Sequence, residues 1–406
     1  MLIEFRTENH RSLKTEQVLT MEAGRVDGDE TIPRKVPGSA KPLLPVAALY
    51  GANASGKSNV LSALAFMKNA VVNSSWRWRP DANIPVNTFA WGEGPKSSSM
   101  FEVTFVHRGV RYQYGFVANK ERFVEEWLFA WPKGKKQTWF ARDGMSFTFS
   151  DKLRGNHKMI EGVTRYNALF LSVAAQYDYE QVGDVFNWFL ETEIPNYDPD
   201  LNSTVDQFLE FKYKRGNPPE EFHRLLSRAD IGISEVRIEK VPTGRPGKSE
   251  RIQYFLKHDT GSDDSWLPLE EESGGTKTLF QMAIPLLNCI QTGGRMIVDE
   301  LEASLHPKLA IEIVKQFNNP KTNPKNAQLI FTTHDTNLLG NDAGEPVLRR
   351  DQVWLTEKDK EGATVLYPLT DYKPRKAENV ERGYLQGRYG AIPYLGNFSL
   401  LGESAP

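Results

Sequence analysis

Eight residues, Gly51-Ala52-Asn53-Ala54-Ser55-Gly56-Lys57-Ser58, carry the most specific chemistry in this sequence. They match G-x-x-x-x-G-K-[ST], a loop whose glycines let backbone N–H groups turn inward around phosphate oxygens. The uncharged run LLPVAALY (43–50) precedes the loop and reads as a strand covered on both faces. From Ser58 the spacing of Val60, Leu61, Leu64, Met67 and Val71 predicts a helix, whose N-terminus adds the positive end of its dipole. A chance glycine-rich loop would lack that strand–loop–helix setting. Gly51, Asn53, Ser55, Gly56 and Asn59 would line the cradle. Lys57 would reach the β- and γ-phosphates, and Ser58 would ligate Mg2+.

A second chemical feature is GGRMIVDE, two adjacent carboxylates after the apolar strand Met296–Val298. Neighbours on a strand point to opposite faces, so the two can do different work. Asp299 would hold the Mg2+ shell, and Glu300 would polarise an attacking water as general base. Alone, such a pair is a solvated strand end; the phosphate loop gives it a role. Ser273, Gly274 and Gly275 open another predicted helix about 25 residues earlier, an anion site without a lysine or a plain N-cap. ELEASLHP (300–307) follows the acidic strand, and QLIFTTHD ends a further strand in His334. A histidine there can donate a hydrogen bond to a γ-phosphate.

These groups need elements to position them. Lys57 and Asp299 lie 242 residues apart, far more than a compact core needs between its two phosphate-site strands. Large insertions must fill the gap. From about Phe101 to Phe149 the apolar period is two, with turn signals at Arg108-Gly109 and Lys133-Gly134, as in an antiparallel sheet. Residues 165–230 carry helical spacing, including Phe208 and Phe211, with a break at RGNPPEE (215–221). Strands return in VRIEKV and RIQYFLKH, joined by a GRPGKSE loop. A helix then runs from Thr276 to Ile290 with Pro285 inside it, and another from Pro307 to Phe317. The expected units are 1–100 and 231–345 for the two parts of the core, 101–160 for a β lobe, 161–230 for a helical lobe, and 346–406 for a tail.

The balance of 50 Lys+Arg against 52 Asp+Glu excludes a generically basic nucleic-acid coat. The single cysteine, Cys289, excludes a disulfide framework and reads as a small buried hydrophobe. No apolar leader or long apolar run is visible, so a cytoplasmic location with no membrane partner is expected.

In this order and spacing the motifs resemble the ABC/SMC/RecF-type ATPases. Within them the chain is similar to the stand-alone RloA-like and abortive-infection group, relatives of the overcoming-lysogenization-defect (OLD) ATPases of bacterial phage defence. The resemblance spans nearly the whole chain, on LIEFRTENHRSL, GANASGKSNVLSAL, EESGGTKTLF, MIVDELEASLHP, IFTTHDTNLL, RRDQVWLTEKD and GRYGAIPYL. It implies an α/β fold: an ABC-type P-loop ATPase head with an antiparallel β lobe, an inserted helical lobe and no long coiled coil. It implies ATP and Mg2+ as cofactors. It also implies a head-to-tail homodimer, in which Lys57, Ser58, Asp299, Glu300 and His334 of one protomer face Ser273 and Gly275 of the other across the nucleotide. His10 stands where the family has phenylalanine. The family's Q-loop glutamine is not placed surely; Gln176 is a candidate that reads more readily as a helix-surface residue.

Two anion sites that share one γ-phosphate between protomers would hold a dimer only until hydrolysis. The implied function is the sensor ATPase of an antiphage system. Because only 72 residues follow His334, its effector, such as a nuclease, is expected on a separate polypeptide. A RecF-type DNA-repair ATPase is the alternative, with DNA as a candidate partner. A transporter subunit fits poorly with the long insertion. Two weaker features are the aromatic and basic stretch Arg122–Arg142, a nucleic-acid surface or, by preference, a packed sheet with a solvated lysine turn, and the tail cations Lys373, Arg375, Lys376, Arg382 and Arg388, which could dock a partner protein or DNA or form a solvated segment.

Overall fold

All six residues of β3 (Val46–Gly51) are buried, which requires a strand inside a sheet with both faces covered. The computed structural model describes residues 1–26, 28–177, 179–197, 220–228, 232–241, 251–260, 262, 264–303, 305–342, 344–374 and 378–393. In it β3 is central to a six-stranded sheet. On one side lie β14 (Gln328–Thr332), β13 (Arg295–Val298) and the short β9 (Thr192–Glu193), all parallel. On the other lie β17 (Val353–Lys358), parallel to β3, and β18 (Thr364–Pro368), antiparallel at the edge.

Alternation along β3 divides the core. Ala47 and Leu49 pack with Val60, Leu61, Leu64 and Met67 of α1 (Lys57–Asn73). Val46, Ala48 and Tyr50 pack toward Met282 and Leu286 of the helix Gly274–Thr292, and toward Ala310, Ile313 and Val314 of the helix Pro307–Asn318.

A seven-stranded antiparallel sheet covers the other side of α1. Its order is β2 (Gln17–Thr20), β1 (Leu2–Glu8), β4 (Ser99–His107), β5 (Val110–Ala118), β6 (Phe123–Trp131), β7 (Gln137–Asp143) and β8 (Ser146–Phe149). The sheet thus takes its first two strands from the chain's start and is not confined to the stretch after residue 100. Helices α2 (His157–Val163), α3 (Phe170–Gln176) and α4 (Glu180–Leu190) pack on it, with Phe105 stacked on Trp188 at 4.2 Å. Glu126 is fully buried at the joint: it accepts from the amides of Phe170 and Leu171 at 2.7 and 3.0 Å, with Arg142 at 3.8 Å. The stretch Arg122–Arg142 is a packed sheet, with Phe123, Leu128 and Phe140 buried.

A third sheet of β10 (Ile233–Val241), β11 (Arg251–His258) and β12 (Trp266–Pro268) packs with α5 (Glu220–Arg228) against α6 (Gly274–Thr292). Helix α6 runs through Pro285 and is the longest among the described residues, at 19. Helix α7 (Pro307–Asn318) follows, then a ribbon of β15 (Asn341–Asp342) and β16 (Glu345–Pro346).

Two expectations need correction. The stretch 165–230 does not stay helical, since β9 leaves it to extend the parallel sheet. The stretch 346–406 is more than a tail, because it supplies β17 and β18 to the central sheet. Its helix α8 (Val380–Leu385) and the closing Tyr389 dock on the chain's own core, where Tyr384 meets Tyr50 edge-on. Phe208, Phe211, the GRPGKSE loop, Arg375 and Lys376 lie outside the described residues.

Candidate functional site

The loop between β3 and α1 is shaped by two glycines. Gly56 takes φ +109°, and a Cβ there would stand 2.0 Å from Thr364 Oγ1. A Cβ on Gly51 would stand 2.4 Å from Thr356 Oγ1. Strands β17 and β18 press on the loop from behind, through a chain of hydroxyls. Ser55 Oγ lies 2.6 Å from Thr356 Oγ1, Thr364 Oγ1 donates to Ser55 O at 2.7 Å, and Ser12 Oγ lies 2.7 Å from Thr364 Oγ1. The Ser55 hydroxyl is therefore a buried brace, and Asn59 likewise turns its amide onto Ser12 Oγ at 2.5 Å. Asn53 and Ala54 form the exposed tip.

The first turn of α1 has no side-chain cap and no acidic residue. Its leading amides have no carbonyl partner inside the helix and present a positive terminus. Lys57 is buried beside them and donates from Nζ to Gly51 O at 2.9 Å and Ala52 O at 3.2 Å. Burial lowers its pKa, while Glu300, Asp299 and Glu302 oppose the shift. The ammonium thus faces three carboxylates from the far side of the sequence.

Asp299 is the most heavily held of these. Ser58 Oγ donates to its Oδ1 at 2.9 Å, and Thr332 Oγ1 donates to the same atom at 2.6 Å. Tyr197 OH contacts Oδ2 at 3.3 Å and Ser58 O at 3.0 Å. The Asp299 amide donates to Asn196 Oδ1 at 2.9 Å. A hydroxyl and a carboxylate converging on one point form a hard-oxygen donor pair that suits Mg2+, which keeps waters and phosphate oxygens as its remaining ligands. Burial and the Asp299 charge push the Tyr197 hydroxyl pKa up, so it stays protonated and able to donate.

Glu300 turns away from Asp299 through a left-handed backbone at φ +54°, leaving its side chain exposed at the mouth of the site. Its amide is pinned to Thr332 Oγ1 at 2.7 Å. His334 follows β14; its amide donates to Glu302 Oε1 at 2.5 Å. Surrounding protein strips part of the hydration from its exposed ring and Lys57 repels the imidazolium, so its pKa falls despite Glu302, Glu300 and Asp299. A neutral imidazole near Lys57 donates one N–H.

The structure brings Lys57, Ser58, Asp299, Glu300 and His334 together, while Ser273–Gly275 stand at the start of α6. Ser273 caps α6, accepting from the Thr276 amide at 3.1 Å, and His258 holds the preceding Glu272 at 2.6 Å. Ser273 and Gly274 are exposed, with open space around Gly274. Gln176 ends α3 on an exposed surface. Asn196 and Tyr197 are site residues that lie in no motif, and Thr332 and Glu302 lie inside motifs that do not single them out. The pairing of β9 with β13 carries the chain of Asn196 and Tyr197 alongside the strand that ends at Asp299.

Residues 46–340 match the family described as "AAA domain, putative AbiEii toxin, Type IV TA system". Septu protein PtuA of Bacillus mycoides (strain KBAB4) is 28% identical over 156 residues, 36% of this chain and 20% of that protein. The match thus spans about a fifth of the length of that curated relative. Among solved structures, the SMC head domain from Thermotoga maritima aligns at 16% identity and a TM-score of 0.42, over 90% of this chain and 98% of that one. The Smc head domain with a coiled coil and joint from Pyrococcus yayanosii aligns at 11% and 0.44, over 95% and 99%.

Proposed function

The chain belongs to the AAA domain family matched by residues 46–340, and from that premise we propose that it is an ATP hydrolase working as a dimerising switch. The carrying observation is the uncapped α1 terminus, with buried Lys57 facing the Ser58–Asp299 pair across a single loop. In this reading the α1 amides and Lys57 take the β- and γ-phosphates, and Ser58 and Asp299 hold Mg2+. Bound there, the ion would neutralise charge on the phosphate oxygens. Glu300 takes a proton from the attacking water, and His334 donates to the γ-phosphate.

The exposed Ser273–Gly275 turn supports a site completed by a second copy. A helix N-terminus with open space at Gly274 can approach a γ-phosphate held by another protomer, and loss of that phosphate removes the shared contact. The family description and the short match to Septu protein PtuA support a defence setting, in which this ATPase controls a separately encoded effector such as a nuclease.

Glu300→Gln is the test. It keeps the nucleotide contacts while slowing hydrolysis about 100-fold or more. Light scattering with saturating ATP and Mg2+ should then show a dimer that ADP does not support. A strictly monomeric variant would refute the clamp while leaving the ATP site intact.

A further inference from the structure

The chain leaves α1 through Ser74-Ser75-Trp76-Arg77-Trp78-Arg79, an alternation of aromatic and cationic residues that the phosphate chemistry does not use. Trp76 is 57% exposed, and its indole N–H is anchored to Val72 O at 3.0 Å. The Arg77 guanidinium lies 4.8 Å from the Trp76 ring centre. Two other segments are tied to this one. Tyr166, 46% exposed, donates from its hydroxyl to Pro80 O at 2.9 Å. Arg165 next to it donates to the carbonyls of Ser74, Ser75 and Trp78. The Ile84 amide donates to Lys120 O at 2.8 Å, and Trp78 stacks on Phe123 at 6.2 Å.

Segments 74–84, 119–123 and 164–167 therefore form one surface. They hold five cations, Arg77, Arg79, Lys120, Arg122 and Arg165, against two carboxylates, Asp81 and Glu121, in a chain whose net charge is −2. Arg79, Lys120 and Arg122 are exposed; Arg79 pairs with Asp81 at 3.1 Å and Arg122 with Glu121 at 3.8 Å, exposed pairs worth little that a phosphate can displace. Two solvent-facing rings, each fixed by a hydrogen bond, can stack on bases whose faces are open, while the surrounding cations neutralise phosphates. A duplex hides its base faces, and an acidic peptide offers no such rings.

We infer that this surface binds single-stranded nucleic acid. It lies at the end of α1 opposite Lys57, about 25 Å along a 17-residue helix. An occupant there touches the same rigid element whose first turn forms the phosphate loop.

The inference goes beyond the proposed switch and does not depend on it, so the test is run without nucleotide. The full chain is titrated into a labelled oligothymidylate of about 20 nucleotides at roughly 50 and 200 mM salt, followed by fluorescence anisotropy. Trp76→Ala with Tyr166→Ala should weaken binding about tenfold or more. Arg79→Glu with Arg122→Glu changes exposed side chains whose ion pairs with Asp81 and Glu121 are worth little; it should also weaken binding and flatten the salt dependence, with little change in melting temperature. Duplex of equal length and polyglutamate should each bind at least about tenfold more weakly than the oligothymidylate. The inference is overturned if the aromatic variant binds as wild type does, if duplex or polyglutamate binds as tightly as the single strand, or if the single strand is not bound.

Discussion

Replacing Gly56 by alanine tests whether the phosphate loop is held in shape from behind. The residue sits at φ +109°, where an L side chain costs about 1–2 kcal/mol. The new Cβ would stand 2.0 Å from Thr364 Oγ1 and 2.9 Å from Ser12 Oγ. Thr364 cannot retreat freely, because its hydroxyl donates to Ser55 O at 2.7 Å and its amide donates to Ser12 O at 2.7 Å. Displacing it breaks about two hydroxyl bonds worth about 1 kcal/mol each. The total is about 3–4 kcal/mol, concentrated where the phosphates would lie, which corresponds to roughly 100- to 1,000-fold in nucleotide affinity. The assay is titration of a fluorescent ATP analogue, with thermal melting alongside. Gly109→Ala is the control. It shares a left-handed backbone, φ +78°, but meets nothing within 4 Å, so it should lose a little stability and no affinity. If Gly56→Ala binds the analogue within about threefold of wild type, the reasoning from the hydroxyl brace is wrong; a tenfold loss would already support it.

Two further perturbations read other parts of the molecule. Tyr197→Phe removes the hydroxyl that touches Asp299 Oδ2 and Ser58 O, so the Mg2+ concentration for half-maximal hydrolysis should rise about tenfold; an unchanged Mg2+ dependence would make Tyr197 mere packing. His10, buried with its Nε2 3.0 Å from Ser62 Oγ, has its pKa pushed down from 6.5 to about 3, by burial first and Arg11 second. The unfolded chain therefore binds the extra proton between those values, and stability present above pH 6.5 is lost as the pH falls, by about 2 kcal/mol at pH 5. His10→Phe should fit against Phe66 and Phe101 and flatten this acid loss, as read by melting at pH 7 and 5; an equal loss in both proteins would sink the assignment.

Much of the site was legible because its chemistry is local. A phosphate loop needs its glycines, lysine and serine within eight residues, and the strand before it and helix after it announce themselves by apolar period. The acidic pair, the Ser273 turn and His334 were readable for the same reason: each closes or opens one element. Ser55 inside the motif and Asn59 just after it turn their side chains to the scaffold, since adjacency in a loop does not say which way a side chain turns.

The sequence alone determined the strand–loop–helix that carries the phosphate-loop pattern and which residues line up on its strand and helix, because local spacing dictates backbone conformation. Tertiary structure alone decided that Asp299 is gripped by Ser58, Thr332 and Tyr197, and that β17 and β18 back the loop. It also decided that the antiparallel sheet begins with the first strand of the chain. The reason is that strand partners and hydroxyl contacts between residues 33 to 352 positions apart leave no periodic signal in the chain. They arise when parallel strands in register bring distant side chains to one edge of a sheet.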